Sequence, residues 1–213
     1  MTRTSTREEI IRKGAELIHA QGFKATGLQQ ILQTTGVPKG SFYFYFKSKE
    51  DFGLEIINYF DAAISKAFTQ YLTDKKVPPM RRLENLFDYY EASFQKSSAA
   101  LGCPIGNLSL ELADTNERLR KHLAAVIEKL IAQIEACLKE AKHDKSLSAG
   151  LNTADTANFI FHGFEGAILH TKVVKSIEPF RAFRDCMTQY WKNIKAKKGK
   201  WDNRMSSAKQ NSP

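Results

Sequence analysis

The chain has 213 residues, room for one good-sized core or for a small head on a larger body. Its 42% hydrophobic and 26% charged residues are an ordinary globular composition, which argues against a disordered or fibrous chain. The net charge of +9 is uneven: residues 1–50 carry +4, residues 192–213 carry +6 and the stretch between carries −1, so a polyanion is expected to meet only part of the molecule.

The opening Met-Thr-Arg-Thr-Ser-Thr-Arg-Glu-Glu has no apolar run after its charges, unlike a secretory signal. No window approaches the roughly 18 apolar residues of a membrane span. Cys103, Cys137 and Cys186 are widely spaced with no C-x-x-C pair, which argues against a disulfide scaffold or a structural zinc site. A soluble cytoplasmic protein without cofactor, metal or membrane partner is expected.

Helical periodicity runs through almost the whole chain. Residues 7–21 gather Ile10, Ile11, Gly14, Ala15, Leu17 and Ile18 on one side, and Gly22 stands where a helix stop belongs. A short apolar-periodic piece, Leu28, Ile31 and Leu32, follows a cap at Thr26 or Gly27 and ends in Thr35-Gly-Val-Pro38. Ser48, with Asp51 three residues on, opens a helix of about six turns to Leu72. Pro79 starts the next, which runs to about Lys96 with Leu83, Leu86, Phe87, Tyr90 and Phe94 inward. After the break at Leu101-Gly-Cys-Pro104 come a short segment to Ala113 and a long helix over about 115–141. An apolar helix over about 153–175 and a last one from Glu178-Pro179 to about Lys197 complete the pattern. The spacing predicts an all-α protein of about nine helices. Its expected parts are a helix-turn-helix head over 1–50, a helical body over 51–197 and a disordered basic tail over 198–213.

Residues 24–50 read as a short helix, a tight turn at Gly36 and a second helix too brief to stand alone. Such a pair is useful when the second helix is pressed into a DNA major groove. Lys39, Gly40 and Ser41 open that helix, where its N–H groups favour phosphate. The hydroxyls of Tyr43 and Tyr45 can donate to phosphate oxygens, while Phe42 and Phe46, at i and i+4, can pack inward. The stretch from about Arg7 to Leu54 resembles the DNA-binding domain of the TetR family of transcriptional regulators. The likeness runs through Gly22-Phe23, Thr26, Ile31, Gly36-Val37, Lys39-Gly40, Tyr43, Phe46 and Lys49-Glu50. It departs mildly at Gly27, where Ser or Thr is usual, and at Tyr45, often His. The resemblance implies that Lys39, Gly40, Ser41 and Phe44 face the groove, and that Thr26, Tyr43, Tyr45 and Lys49 hold phosphates. Gln29 and Gln30 are further candidate contacts.

The resemblance also implies a homodimer on double-stranded operator DNA, most simply a repressor released by a small-molecule effector. The last two helices would then form the dimer surface, with Phe159 and Ala167 supplying apolar mass and Gly163 and Gly166 allowing close approach. Leu101–Asp114 is similar to the segment of a TetR subgroup that responds to electrophiles. Cys103, beside a helix N-terminus, is expected to have a lowered thiol pKa and to sense an electrophile or line an effector pocket, with burial as an inert thiol the plainer option. Tyr90, Asn107, Phe161 and His162 are further pocket candidates. His162, Glu165 and His170 are too irregularly spaced for a metal set. An alternative is an all-α thiol-dependent enzyme using Cys103, although no catalytic motif accompanies it. Nonspecific polyanion binding through the tail would leave residues 24–50 unexplained.

Overall fold

A computed structural model describes residues 6–96 and 101–195. The expected basic tail over 198–213 lies outside the described residues. Those described form nine α-helices, and their one β-type contact is an isolated bridge between Leu147 and Lys195.

The head comprises α1 (Thr6–Gln21), α2 (Leu28–Thr35) and α3 (Lys39–Tyr45), closed by the first turns of α4 (Lys49–Leu72). Helix α1 stops at Gly22, whose φ of +94° few other residues adopt readily. Helix α2 starts from Gly27, which offers no side-chain cap, and ends on Gly36 at φ +73°, whose N–H donates to the Leu32 carbonyl. Ser48 caps α4 as its spacing predicts, its hydroxyl accepting the Asp51 N–H at 3.0 Å. Phe42, Phe46 and Phe52 meet in the head core with ring centroids 5.0–5.3 Å apart, and all three are buried. Gly14 lies so close beneath Phe52 that a Cβ there would overlap the ring, so α1 and α4 cross at near contact.

The body consists of the rest of α4, then α5 (Pro79–Lys96), α6 (Pro104–Leu112), α7 (Glu117–His143), α8 (Thr153–Val174) and α9 (Glu178–Ile194). Helix α7 packs along α4, α5 and α8, while α9 lies against α8 and α5. Its core is Leu and Ile from α7 interleaved with aromatic rings, among them Phe68, Phe87, Phe164 and Phe180. Two polar anchors lie within this packing. Arg82, 3% exposed, donates to the Val77 carbonyl at 2.6 Å and to Glu140 of α7 at 2.8 Å. Glu91 of α5, also buried, accepts Arg181 at 2.9 Å and also pairs with Arg184, clamping α9.

Candidate nucleic-acid interface and effector cavity

Helix α3 has seven residues, too few to persist without support. Phe42 and Phe46 supply that support by anchoring its inner face, which turns Lys39, Gly40, Tyr43 and Phe44 to solvent. Tyr43 is 46% exposed and lies with its ring 6.0 Å from the Lys39 ammonium. Ser41 and Tyr45 are half-buried, Gln29 is exposed beside them and Gln30 is half-buried, bonded to Gln21. Lys24, Lys39 and Lys47 are exposed, while Asp51 and, more distantly, Glu50 pair with Arg118 of α7. The face around α3 is therefore cationic and aromatic, while Asp51 and Glu50 are engaged by Arg118.

Two expected phosphate ligands are placed differently. Thr26 is fully buried, and its hydroxyl donates to the Gly22 carbonyl at 2.6 Å, bracing the α1–α2 turn. The Lys49 ammonium donates to the Phe23 carbonyl at 2.7 Å and sits 4.6 Å from that ring's centre, where desolvation lowers its pKa. Both side chains hold the turn that positions α2; neither reaches outward.

In the body, α6, α7 and α8 line a mostly apolar, partly open cavity of about 330 Å³, with Cys103, Asn107, Phe161, His162 and Glu165 in its wall. A second, smaller space of about 80 Å³ lies beside it toward α4 and α5, lined by Phe68, Tyr90 and Phe94 among others. Gly102, Cys103, Leu130, Phe161, Glu165 and Ile168 border both. Four of the five expected pocket residues, Cys103, Asn107, Phe161 and His162, line the larger cavity, and Tyr90 lines the smaller one beside it. Glu165, considered from the sequence only as part of a poorly spaced His162–His170 set, lies in the wall of both. Burial pushes its carboxyl above the ordinary range, partly offset by the Cys103 thiol.

The expectation of an acidic Cys103 thiol is overturned. Its sulfur caps α6, accepting the Gly106 N–H at 3.4 Å, yet its pKa is well above the ordinary thiol value. Burial is the main cause, and the nearby Glu165 charge adds to it; the helix terminus is too weak to compensate.

The cavity rim is wired to the head. The His19 imidazole, at the end of α1, bonds the Gly102 carbonyl at 3.0 Å and packs edge-on against Phe60. Asn107 holds the Leu101 carbonyl at 2.8 Å and accepts the Lys172 ammonium at 2.9 Å. Near the other end of α6, Glu111 accepts the backbone N–H groups of Phe23 and Lys24. Apart from the Asn107–Leu101 bond, these ties join residues 65–88 apart in sequence and gave no local signal.

On α8, Phe159 is 57% exposed and a Cβ on Gly166 would meet nothing within 4 Å, so both lie on the open face. Gly163 and Ala167 turn inward. A Cβ on Gly163 would stand 2.9 Å from Phe183 of α9, so that glycine allows close packing within the chain.

Residues 10–56 match the family model for bacterial regulatory proteins of the tetR family, and residues 79–187 match that for the tetracyclin repressor-like C-terminal domain. The chain is 32% identical over 183 residues to the HTH-type transcriptional repressor DhaR of Mycobacterium sp. (strain GP1), covering 86% of this chain and 90% of that one. It is 29% identical over 178 residues to the HTH-type transcriptional repressor NemR of Escherichia coli (strain K12), covering 84% and 89%. Among solved structures, the regulatory protein TetR from Rhodobacter sphaeroides superposes with a TM-score of 0.81 at 29% identity, covering 90% of this chain and all of that one.

Proposed function

Because the chain belongs to the TetR family of bacterial regulatory proteins, we propose that it acts as a homodimeric repressor that leaves a palindromic operator when a small molecule occupies the α6–α7–α8 cavity. That it is a DNA-binding transcriptional regulator follows from the family itself. The observation that carries the reading is α3, locked by Phe42 and Phe46 so that Lys39, Gly40, Tyr43 and Phe44 form its outer face. A pair of such heads one helical turn of DNA apart, roughly 34–36 Å, would read a two-fold symmetric site.

The effector site is the cavity around Phe161 and Glu165, and its apolar walls suit a small, largely apolar molecule with one hydrogen-bonding group. Release requires the ligand to favour the arrangement that does not fit DNA. The His19–Gly102 and Glu111–Phe23 bonds give a filled cavity a direct mechanical hold on the head. Phe159 and Gly166, on the open side of α8, are dimer contacts in this reading. Against a thiol-dependent enzyme, burial and the nearby Glu165 charge disfavour the Cys103 thiolate that such chemistry needs.

A gel shift with the DNA upstream of the protein's own gene tests the reading. Lys39→Ala should weaken binding to that DNA, and truncation at Gly199 should leave selectivity intact. Equal affinity for scrambled duplex would overturn it.

A further inference from the structure

Phe44 is the most exposed large hydrophobic residue among those described, at 81%. It stands on the outer face of α3 in its last turn, one residue before the helix ends at Tyr45. Its ring is held edge-on by Tyr45, with centroids 5.0 Å apart and planes at 83°, and Tyr45 itself packs on the head core. The ring is therefore supported from behind while its outer surface faces water. One turn earlier, at i−4 on the same face, a Cβ on Gly40 would meet nothing within 4 Å of the chain. Gly40 also has no positive φ to demand glycine. The fold thus accounts neither for the bare position nor for the bulky apolar one that follows it.

Both features suit a surface that comes close at Gly40 and offers an apolar group to Phe44. On the major-groove edges of the four bases, that apolar group is the C5-methyl of thymine. The cations around the ring, Lys39 and Lys47, are suited to phosphates, and neither can recognise a methyl group. We propose that Phe44 is a specificity-determining residue that reads a thymine in each operator half-site by packing its ring on the C5-methyl, with Gly40 allowing the approach. The inference rests on α3 being the groove helix, and it goes further by naming the base and the atom.

The test separates the two claims. A binding duplex is first selected from random sequence with the full chain, and each thymine is then replaced singly by deoxyuridine, which removes only the methyl and leaves base pairing unchanged. Burying one methyl against a ring is worth about fourfold in affinity, so replacement in one half-site should weaken binding about fourfold and in both about fifteenfold. Phe44→Ala should bind more weakly overall and lose this sensitivity at the same thymine, whereas Lys39→Ala should keep it in whatever binding remains. Selective binding with no uracil effect at any position, or a Phe44→Ala protein equally sensitive to uracil, would overturn the proposal while leaving the regulator reading standing. Failure to select any duplex would overturn both.

Discussion

The carboxylate of Glu111 accepts the backbone N–H of Phe23 at 2.8 Å and that of Lys24 with its other oxygen, so one side chain of α6 satisfies the turn after α1. Hydrogen bonds to a charged acceptor are worth more than neutral ones, and here two amides lose their partner together. Glu111→Ala is expected to destabilise the protein by about 2 kcal/mol in urea titrations. Amide hydrogen exchange at Phe23 and Lys24 should accelerate first, before that of the α4 core. Unchanged exchange at those two amides would show that the head is held by other contacts.

Gly22 lies against the same carboxylate. A Cβ there would stand 3.1 Å from Glu111 Oε2, on a backbone at φ +94°. Gly22→Ala is expected to cost about 1–2 kcal/mol, most of it from the left-handed backbone. Combined with Glu111→Ala the added cost should be smaller, because the crowding oxygen is gone. Strict additivity of the two variants in a double-mutant cycle would contradict this.

How much of this was legible beforehand depends on the range over which each signal acts. The Ser48–Asp51 cap, the Gly36 stop and the inward pair Phe42 and Phe46 are set by residues within four of one another, and the local pattern reveals them. Thr26 and Lys49 show the boundary. Their positions were readable from the family likeness, but whether a hydroxyl or an ammonium turns outward depends on the carbonyls of Gly22 and Phe23. Glu111, His19 and Glu91 bond to groups more than 80 residues away, and a charged or polar side chain on a helix carries no mark of such a partner.

Arg82 belongs to the same hidden class. It sits in a helix whose inward face the periodicity assigns to Leu83, Leu86 and Phe87, yet it is nearly as buried as they are. Its guanidinium satisfies the Val77 and Leu72 carbonyls together with Glu140. Arg82→Met keeps the apolar stem but strands these acceptors, and a loss of about 3 kcal/mol is expected in denaturant titrations. Replacing Glu140 by Gln as well should recover little of it, since Glu140 keeps its ion pair with Lys75 when the guanidinium is gone and the stranded groups are the two carbonyls. A neutral Arg82→Met would mean that water satisfies the carbonyls.

Cys103 should be a slow thiol. Burial raises its pKa and Glu165 adds to the shift, so little thiolate exists near neutral pH. With Cys137 and Cys186 replaced by Ser, its alkylation by iodoacetamide should keep rising with pH beyond the ordinary thiol range. Glu165→Gln removes the neighbouring negative charge and should shift that profile to lower pH. A profile unmoved by Glu165→Gln would assign the shift to burial alone.

His19 gives the protein a pH dependence whose sign is fixed by the direction of its shift. Desolvation lowers the imidazole pKa below 6.5, the Lys172 charge acts in the same direction, and the bonds to the Gly102 and Leu101 carbonyls oppose them. The unfolded chain therefore takes up this proton at a higher pH than the folded one does. Above about pH 6.5 the imidazole is neutral in both states and exacts no penalty. As pH falls from there through the folded pKa, proton uptake favours unfolding, and the lost stability levels off only below that value. Urea midpoints should accordingly fall between about pH 7 and about pH 5, and this component of the slope should vanish in His19→Gln, whose amide can still donate to the Gly102 carbonyl. Because Glu165 is shifted upward and loses stability in the opposite direction, as pH rises, the comparison must be made between the two proteins at each pH. If His19→Gln reproduced the full pH dependence of the parent chain, the half-buried imidazole could not be its source.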